Sequence, residues 1–179
     1  SCAGSATTRR RFLTTLASAS ATTIAAPAFS LSPQRPAVTH GVQSGDVSID
    51  SGMVWARADR PARMLIEAAT TDSFKKICHA SFADALPETD FTAKALIEDL
   101  PPGQDIFYRL RFQDLWSAQA VSEPIVGRFR TASRDRRSIS FVWSGDTAGQ
   151  GWGIDLSRGG MRTYRTMLHN RPDFFVHCG

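Results

Sequence analysis

Asp105 to Asp114 reads DIFYRLRFQD. Ile106, Tyr108, Leu110 and Phe112 fall at every second position, and Arg109, Arg111 and Phe107 stand between them. A period of two is the mark of a β-strand that buries one face. Pro101-Pro102-Gly103-Gln104 directly ahead of it is a turn. This segment sets the grammar for the hundred residues around it.

Outward from it, turn signals recur at the spacing of a sandwich. MVWARA (Met53–Ala58) follows a Ser51-Gly52 turn, and alternation puts Met53 and Trp55 on its inner face. MLIEAAT (Met64–Thr70) is a second strand, ended by Thr71-Asp72-Ser73. FTAKALIEDL (Phe91–Leu100) alternates up to Leu100, and VGRFRTA (Val126–Ala132) is the last strand. Two such half-buried sheets close a core, with Trp55, Tyr108 and Phe112 inside it. Leu100-Pro101-Pro102-Gly103 ahead of Tyr108 resembles the corner of fibronectin type III-like domains. There a tyrosine hydroxyl bonds back to nearby backbone, a role open here to either ring of Phe107-Tyr108. His40 and His79 stand alone and read as ordinary surface or core histidines.

The chain has 179 residues, a formal net charge of +4 and a pI near 9.3. Arg9, Arg10 and Arg11 are the only charged residues in 1–28, so without that segment the charge is +1. No basic cluster is left that calls for nucleic acid. The same segment, TTRRRFLTTLASASATTIAAPAFS, has a positive start, a moderately apolar run and a small-x-small site at Ala26-Pro27-Ala28. That order predicts an export signal cut after Ala28. Thr8 to Leu13 resembles the bacterial twin-arginine signal. The expected partner is the twin-arginine export machinery, and the expected location is the periplasm or the medium. The run is too short and hydroxyl-rich to be a stable membrane anchor. Residues 29–36 are Ser/Pro-rich linker, 37–133 the sandwich, and the charged break Ser133 to Ser138 a solvated boundary. The spacing of Cys78 and Cys178 leaves open whether they pair or stay reduced, and both read as small buried hydrophobes.

From Ser138 the grammar changes. SISFVWS (Ser138–Ser144) is a continuous apolar run of strand length. In GGMRTYRTMLHNRP, Met161, Tyr164, Met167 and Leu168 fall on one helical face, and DFFVHCG (Asp173–Gly179) is a second apolar strand. Strand, helix, strand predicts a βαβ unit with parallel strands, whose ligands gather at the carboxyl ends of the strands. Asp146 and His177-Cys178-Gly179 both lie there.

Asp146 has three readings. A phosphate cradle fails, because Gly149-x-Gly151-x-Gly153 has neither dinucleotide nor P-loop spacing. The other two remain: a turn carboxylate bonded to local amides, or a hard ligand at a strand tip with a glycine loop that leaves coordination space.

Taken together, these features resemble the alkaline phosphatase D (PhoD-like) metallophosphatase family. The match rests on the twin-arginine signal, on His40-Gly41-Val42-Gln43-Ser44-Gly45-Asp46 with Val54-Trp55-Ala56-Arg57, and on Phe141 to Asp146 with Asp173 to Gly179. The resemblance implies a fibronectin III-like antiparallel sandwich followed by the first βαβ unit of an α/β metallophosphatase domain. It implies an exported phosphoesterase acting on small phosphate esters, with two metals drawn from Fe, Ca, Mn or Zn and no need of nucleic acid. Asp146 would be a metal ligand, where many relatives carry Cys. His177 would orient the next ligand, an Asp expected directly after Gly179. On this reading, residues 138–179 are the start of a catalytic domain and the fragment by itself is inactive. The alternative is an exported, non-enzymatic fibronectin-like binding module.

Overall fold

A computed structural model describes residues 34–147, 149 and 154–179. The predicted signal, most of the linker and five residues of the glycine loop lie outside them. No described helix is long and apolar enough to cross a membrane.

Seven antiparallel strands form two sheets: β1 (Val38–Gly45), β2 (Gly52–Ala58), β3 (Ala62–Ala69), β4 (Ile77–Ala85), β5 (Thr92–Ile97), β6 (Asp105–Asp114) and β7 (Ile125–Arg130). The smaller sheet has the order β1-β2-β5 and the larger β4-β3-β6-β7. Inward positions on the smaller sheet are mostly small: Val54, Ala56, Ala58, Ala93, Ala95 and Ile97. Those on the larger sheet are bulky: Met64, Ile66, Ile106, Tyr108, Leu110 and Phe112. Small side chains facing large ones let two layers interdigitate without voids.

That division corrects the reading of β2. Val54 and Ala56 are buried, so Met53 and Trp55 point the other way and are only half-buried. Two side chains of that size have no room opposite Phe112 and Met64. Strand β4 had no clear sequence signal. Cys78-His79-Ala80-Ser81 lacks an apolar alternation because β4 is an edge strand, with Phe82 62% exposed. Both cysteines are exposed free thiols rather than buried hydrophobes.

The strand crossings are fixed by polar locks. At the crossing from β4 to β5, Asp90 and Phe91 hold left-handed φ of 52° and 57°. Arg57 clamps that turn, bonding the Asp90 carboxylate at 2.9 Å and its carbonyl, and lying over the Phe91 ring. Gly41, with φ 69°, stands at the irregularity that interrupts the β1–β2 register between Val38 and Val42. The corner after Leu100 is held by a residue that sequence pattern did not pick out. Buried Thr131 donates its hydroxyl to the Pro101 carbonyl at 2.8 Å and accepts from the Gln104 amide at 3.0 Å. Tyr108 instead crosses the core to Ser44, and its ring lies so close to Gly127 that a Cβ there would sit 2.3 Å from it. Burial raises the Tyr108 phenol above its ordinary pKa, against the hydrogen bond with Ser44.

After β7 the chain forms a second, smaller layer. Strands β8 (Phe141–Ser144) and β9 (Phe174–His177) pair in parallel, with helix α1 (Arg162–His169) between them in sequence.

Thr131→Val keeps the shape of the side chain and removes both hydrogen bonds at the corner. Each hydrogen bond of this partly buried corner contributes about 0.5–1.5 kcal/mol. Urea denaturation should show a loss of that order with an unchanged m-value; an unchanged midpoint would remove Thr131 from this role.

Candidate functional site

The strand pair β8–β9 builds the site. Its register runs Phe141↔Phe174, Val142↔Phe175, Trp143↔Val176 and Ser144↔His177. Parallel pairing brings both carboxyl ends to one edge, and the Cys178 amide donates to the Ser144 carbonyl at 2.9 Å to extend the pairing. Asp146 therefore stands beside Gly179. A Cβ placed on Gly179, whose φ is 155°, would lie 2.3 Å from the Asp146 Oδ1 and 3.5 Å from its amide nitrogen. Only a glycine lets the carboxylate come so close. Asp146 and His177 are both exposed.

Helix α1 reaches the face that carries Phe175 and His177 through Tyr164. Tyr164 meets Phe175 edge-on at 5.5 Å between centroids, and His177 stacks on Phe175 at 6.1 Å. The Tyr164 hydroxyl is also hydrogen-bonded to Thr147, next to Asp146. One tyrosine thus ties the helix to both strand tips. Sequence reading placed Tyr164 on the apolar face but gave its hydroxyl no task. The opposite face carries the stacked pair Phe141–Phe174, with Trp143 67% exposed.

The start of the pair is held by Asp173. Its carboxylate accepts from the Ser140 amide at 2.9 Å, its own amide donates to the Ser140 carbonyl at 2.7 Å, and Arg137 pairs with it at 2.9 Å. Arg137 is thus a clamp and not merely a solvated linker residue. The Ser140 amide, and then Arg137, hold the Asp173 carboxyl below its ordinary pKa.

A cleft of about 1330 Å³ separates this layer from the sandwich. Asp46 at the end of β1, Arg128 and Arg130 of β7, Arg136, Tyr164 and His177 are among the side chains that line it. The motif His40 to Asp46 therefore ends on a wall of the cleft that His177 also lines.

Asp146 and His177 come to one edge, yet no three potential metal donors cluster among the described residues. The chain supplies one well-placed carboxylate, which does not by itself make a metal site.

The sequence model of the family described as "PhoD-like phosphatase, N-terminal domain" matches residues 21–133. The chain belongs to this family. A solved structure titled "Structure of PhoD" is similar over 86% of this chain, with TM-score 0.63 and 22% identity. This chain spans 29% of the length of that structure. Two fibronectin type III domains also match with lower scores. One, from human collagen alpha-1(XX), has TM-score 0.39 and 18% identity over 57% of this chain and 91% of that one. The other, from the human KIAA0970 protein, has TM-score 0.37 and 12% identity over 60% of this chain and 83% of that one. No curated protein matches the chain. The family assignment and the shared fold make the chain part of a phosphatase family, with the sandwich as its N-terminal domain.

Asp173→Ala should loosen the second layer and leave the sandwich intact. Trypsin should then cut after Arg134, Arg136 or Arg137 several-fold faster, while thermal unfolding of the sandwich is unchanged. Acid should act like the substitution. A carboxyl with a lowered folded pKa stabilises fully above its unfolded value of about 4, and the contribution is lost as pH falls through the folded value. Cleavage by an acid-active protease that rises equally in wild type and variant below that pH would contradict the assignment.

Proposed function

We propose that this chain is the front part of an exported, metal-dependent phosphoesterase, with Asp146 as one metal ligand. The observation that carries the reading is the meeting of Asp146 with Gly179 at the tips of two parallel strands. A turn aspartate needs no such neighbour. A ligand at one strand tip does, because a two-metal centre needs donors from adjacent strand ends within a few ångströms. Membership of a phosphatase family supports the same chemistry. On this reading β8, α1 and β9 are the opening βαβ unit of an α/β metallophosphatase domain, and the remaining donors come from outside the described residues.

Bound metals would supply an activated water and charge neutralisation for hydrolysis of a phosphate ester. Iron, calcium, manganese and zinc all accept a carboxylate, so Asp146 selects none of them. This chain's own residues have simpler tasks. Tyr164 and Thr147 hold the start of the loop after Asp146, Gly179 gives the carboxylate room, and His177, stacked on Phe175, positions the chain at the second strand tip. His177 is a positioning residue in this account.

The export signal in residues 1–28 is part of the proposal, and it places the protein in the periplasm or the medium. The partners are then the twin-arginine machinery during export and a small phosphate ester at the site.

In the intact parent protein, Asp146→Asn should lower bound metal, measured by elemental analysis, and reduce hydrolysis of p-nitrophenyl phosphate at least a hundredfold, on the order expected when a catalytic metal is lost. Unchanged metal content and turnover would return Asp146 to the role of a turn residue and leave the non-enzymatic binding module as the better reading.

A further inference from the structure

The solvent face of the larger sheet carries an arginine ladder. Strand register places Arg130 opposite Asp105 and Arg128 opposite Phe107; Arg109 and Arg111 follow on β6, and Arg63 stands opposite Gln113. The five arginines thus occupy five successive two-residue levels, at 105, 107, 109, 111 and 113, while stepping from β7 to β6 to β3. Each level is ~6.7 Å from the next along the strand, so the row is roughly 27 Å long. It is one side chain wide. The intervening residues Phe129, Leu110, Phe112 and Met64 are buried in the core, so all five arginines are directed away from it.

Alternate rungs are fixed. Arg130 pairs with Asp105 at 3.4 Å, Arg109 with Glu67, and Arg63 with Asp84 at 2.7 Å. Arg109 lies 4.8 Å over the Phe74 ring and Arg63 4.5 Å over Phe82. Arg128 and Arg111, the rungs between them, have no ion-pair partner among the described residues. Ion pairing alone would explain the three paired arginines as cross-strand neighbours. It does not explain two further guanidinium groups set into the gaps of the same line. Five positive charges against three negative ones leave the row cationic.

We propose that this row is a binding surface for linear inorganic polyphosphate. A guanidinium fork matches phosphate oxygens with two parallel hydrogen bonds, and evenly spaced cations along a narrow line fit a chain better than a flat surface. Salt-dependent affinity is the signature of such contacts. Arg128 and Arg130, at one end of the row, also line the cleft beside β8 and β9; the row itself requires no metal, so binding measured under chelation fails or holds independently of the phosphoesterase reading.

The test uses the intact chain with chelator present and fluorescently labelled long-chain polyphosphate as the probe. Anisotropy should show binding that weakens steeply with salt, and inorganic phosphate at equal phosphate concentration should not compete. Arg111→Gln with Arg128→Gln should weaken binding about tenfold and flatten the salt slope by about two. The thermal midpoint should hold, because neither residue has an ion-pair partner to lose. If the double variant does not fold, Arg128→Gln alone, on the edge strand, should weaken binding about threefold. Equal affinity of variant and wild type would overturn the proposal, as would tighter binding of single-stranded DNA, of heparin or of vesicles rich in anionic lipid than of polyphosphate.

Discussion

The pairing of β3 with β6 is the constraint on which the sandwich rests. Eight successive pairs, from Ala62↔Asp114 to Ala69↔Phe107, run without a break. This register puts Met64, Ile66, Leu110 and Phe112 on one side and Arg63, Glu67, Arg109 and Arg111 on the other. A slip of one residue would exchange the two sets and drive charges into the core. No hydrogen-bonded alternative could offset several buried, unpaired guanidinium groups. The small residues of β2 and β5 then follow, since only Ala, Val and Ile fit opposite Met64 and Phe112. The same register that fills the core also lines up the arginines outside it.

The second layer has no comparable core. Its two strands hold together through the Asp173 clamp at one end and the Tyr164–Thr147 contact near the other, with aromatic stacking between. Phe141, Trp143 and Leu168 remain largely exposed. Its order therefore depends on a few polar contacts, whereas the sandwich depends on many apolar ones. Parallel pairing is what gives this layer chemical meaning, because it alone brings Asp146 to the neighbouring strand tip.

Much of this was legible in the sequence where one force dominates. Strand β6 alternates strictly because one face is buried and the other solvated, and its four core residues were read correctly. Helix α1 showed itself by the spacing of Met161, Tyr164 and Met167. Where two forces compete, pattern misled. In β2 Met53 and Trp55 are as apolar as Val54 and Ala56, so alternation alone points the larger pair inward; the volume already filled by β3 and β6 excludes it. Strand β4 escaped notice because an edge strand has little to bury. Thr131 and the Asp173 clamp act through contacts about 30 residues distant in sequence, which no local pattern encodes. Of the site, the placement of Asp146 and His177 at strand ends was readable from strand-loop grammar, but the closeness of Asp146 to Gly179 needed the parallel register.

The proposed role of Asp146 as a metal ligand is open to direct observation. The most direct measurement is a crystal structure of the intact parent protein, grown without chelator, with anomalous data collected at the absorption edges of iron, manganese and zinc and at long wavelength for calcium. If Asp146 binds metal, an anomalous peak lies within about 2.0–2.6 Å of one of its carboxylate oxygens. A fully ordered strand tip with Asp146 bonded only to backbone amides and water, and no metal nearby, would contradict that role.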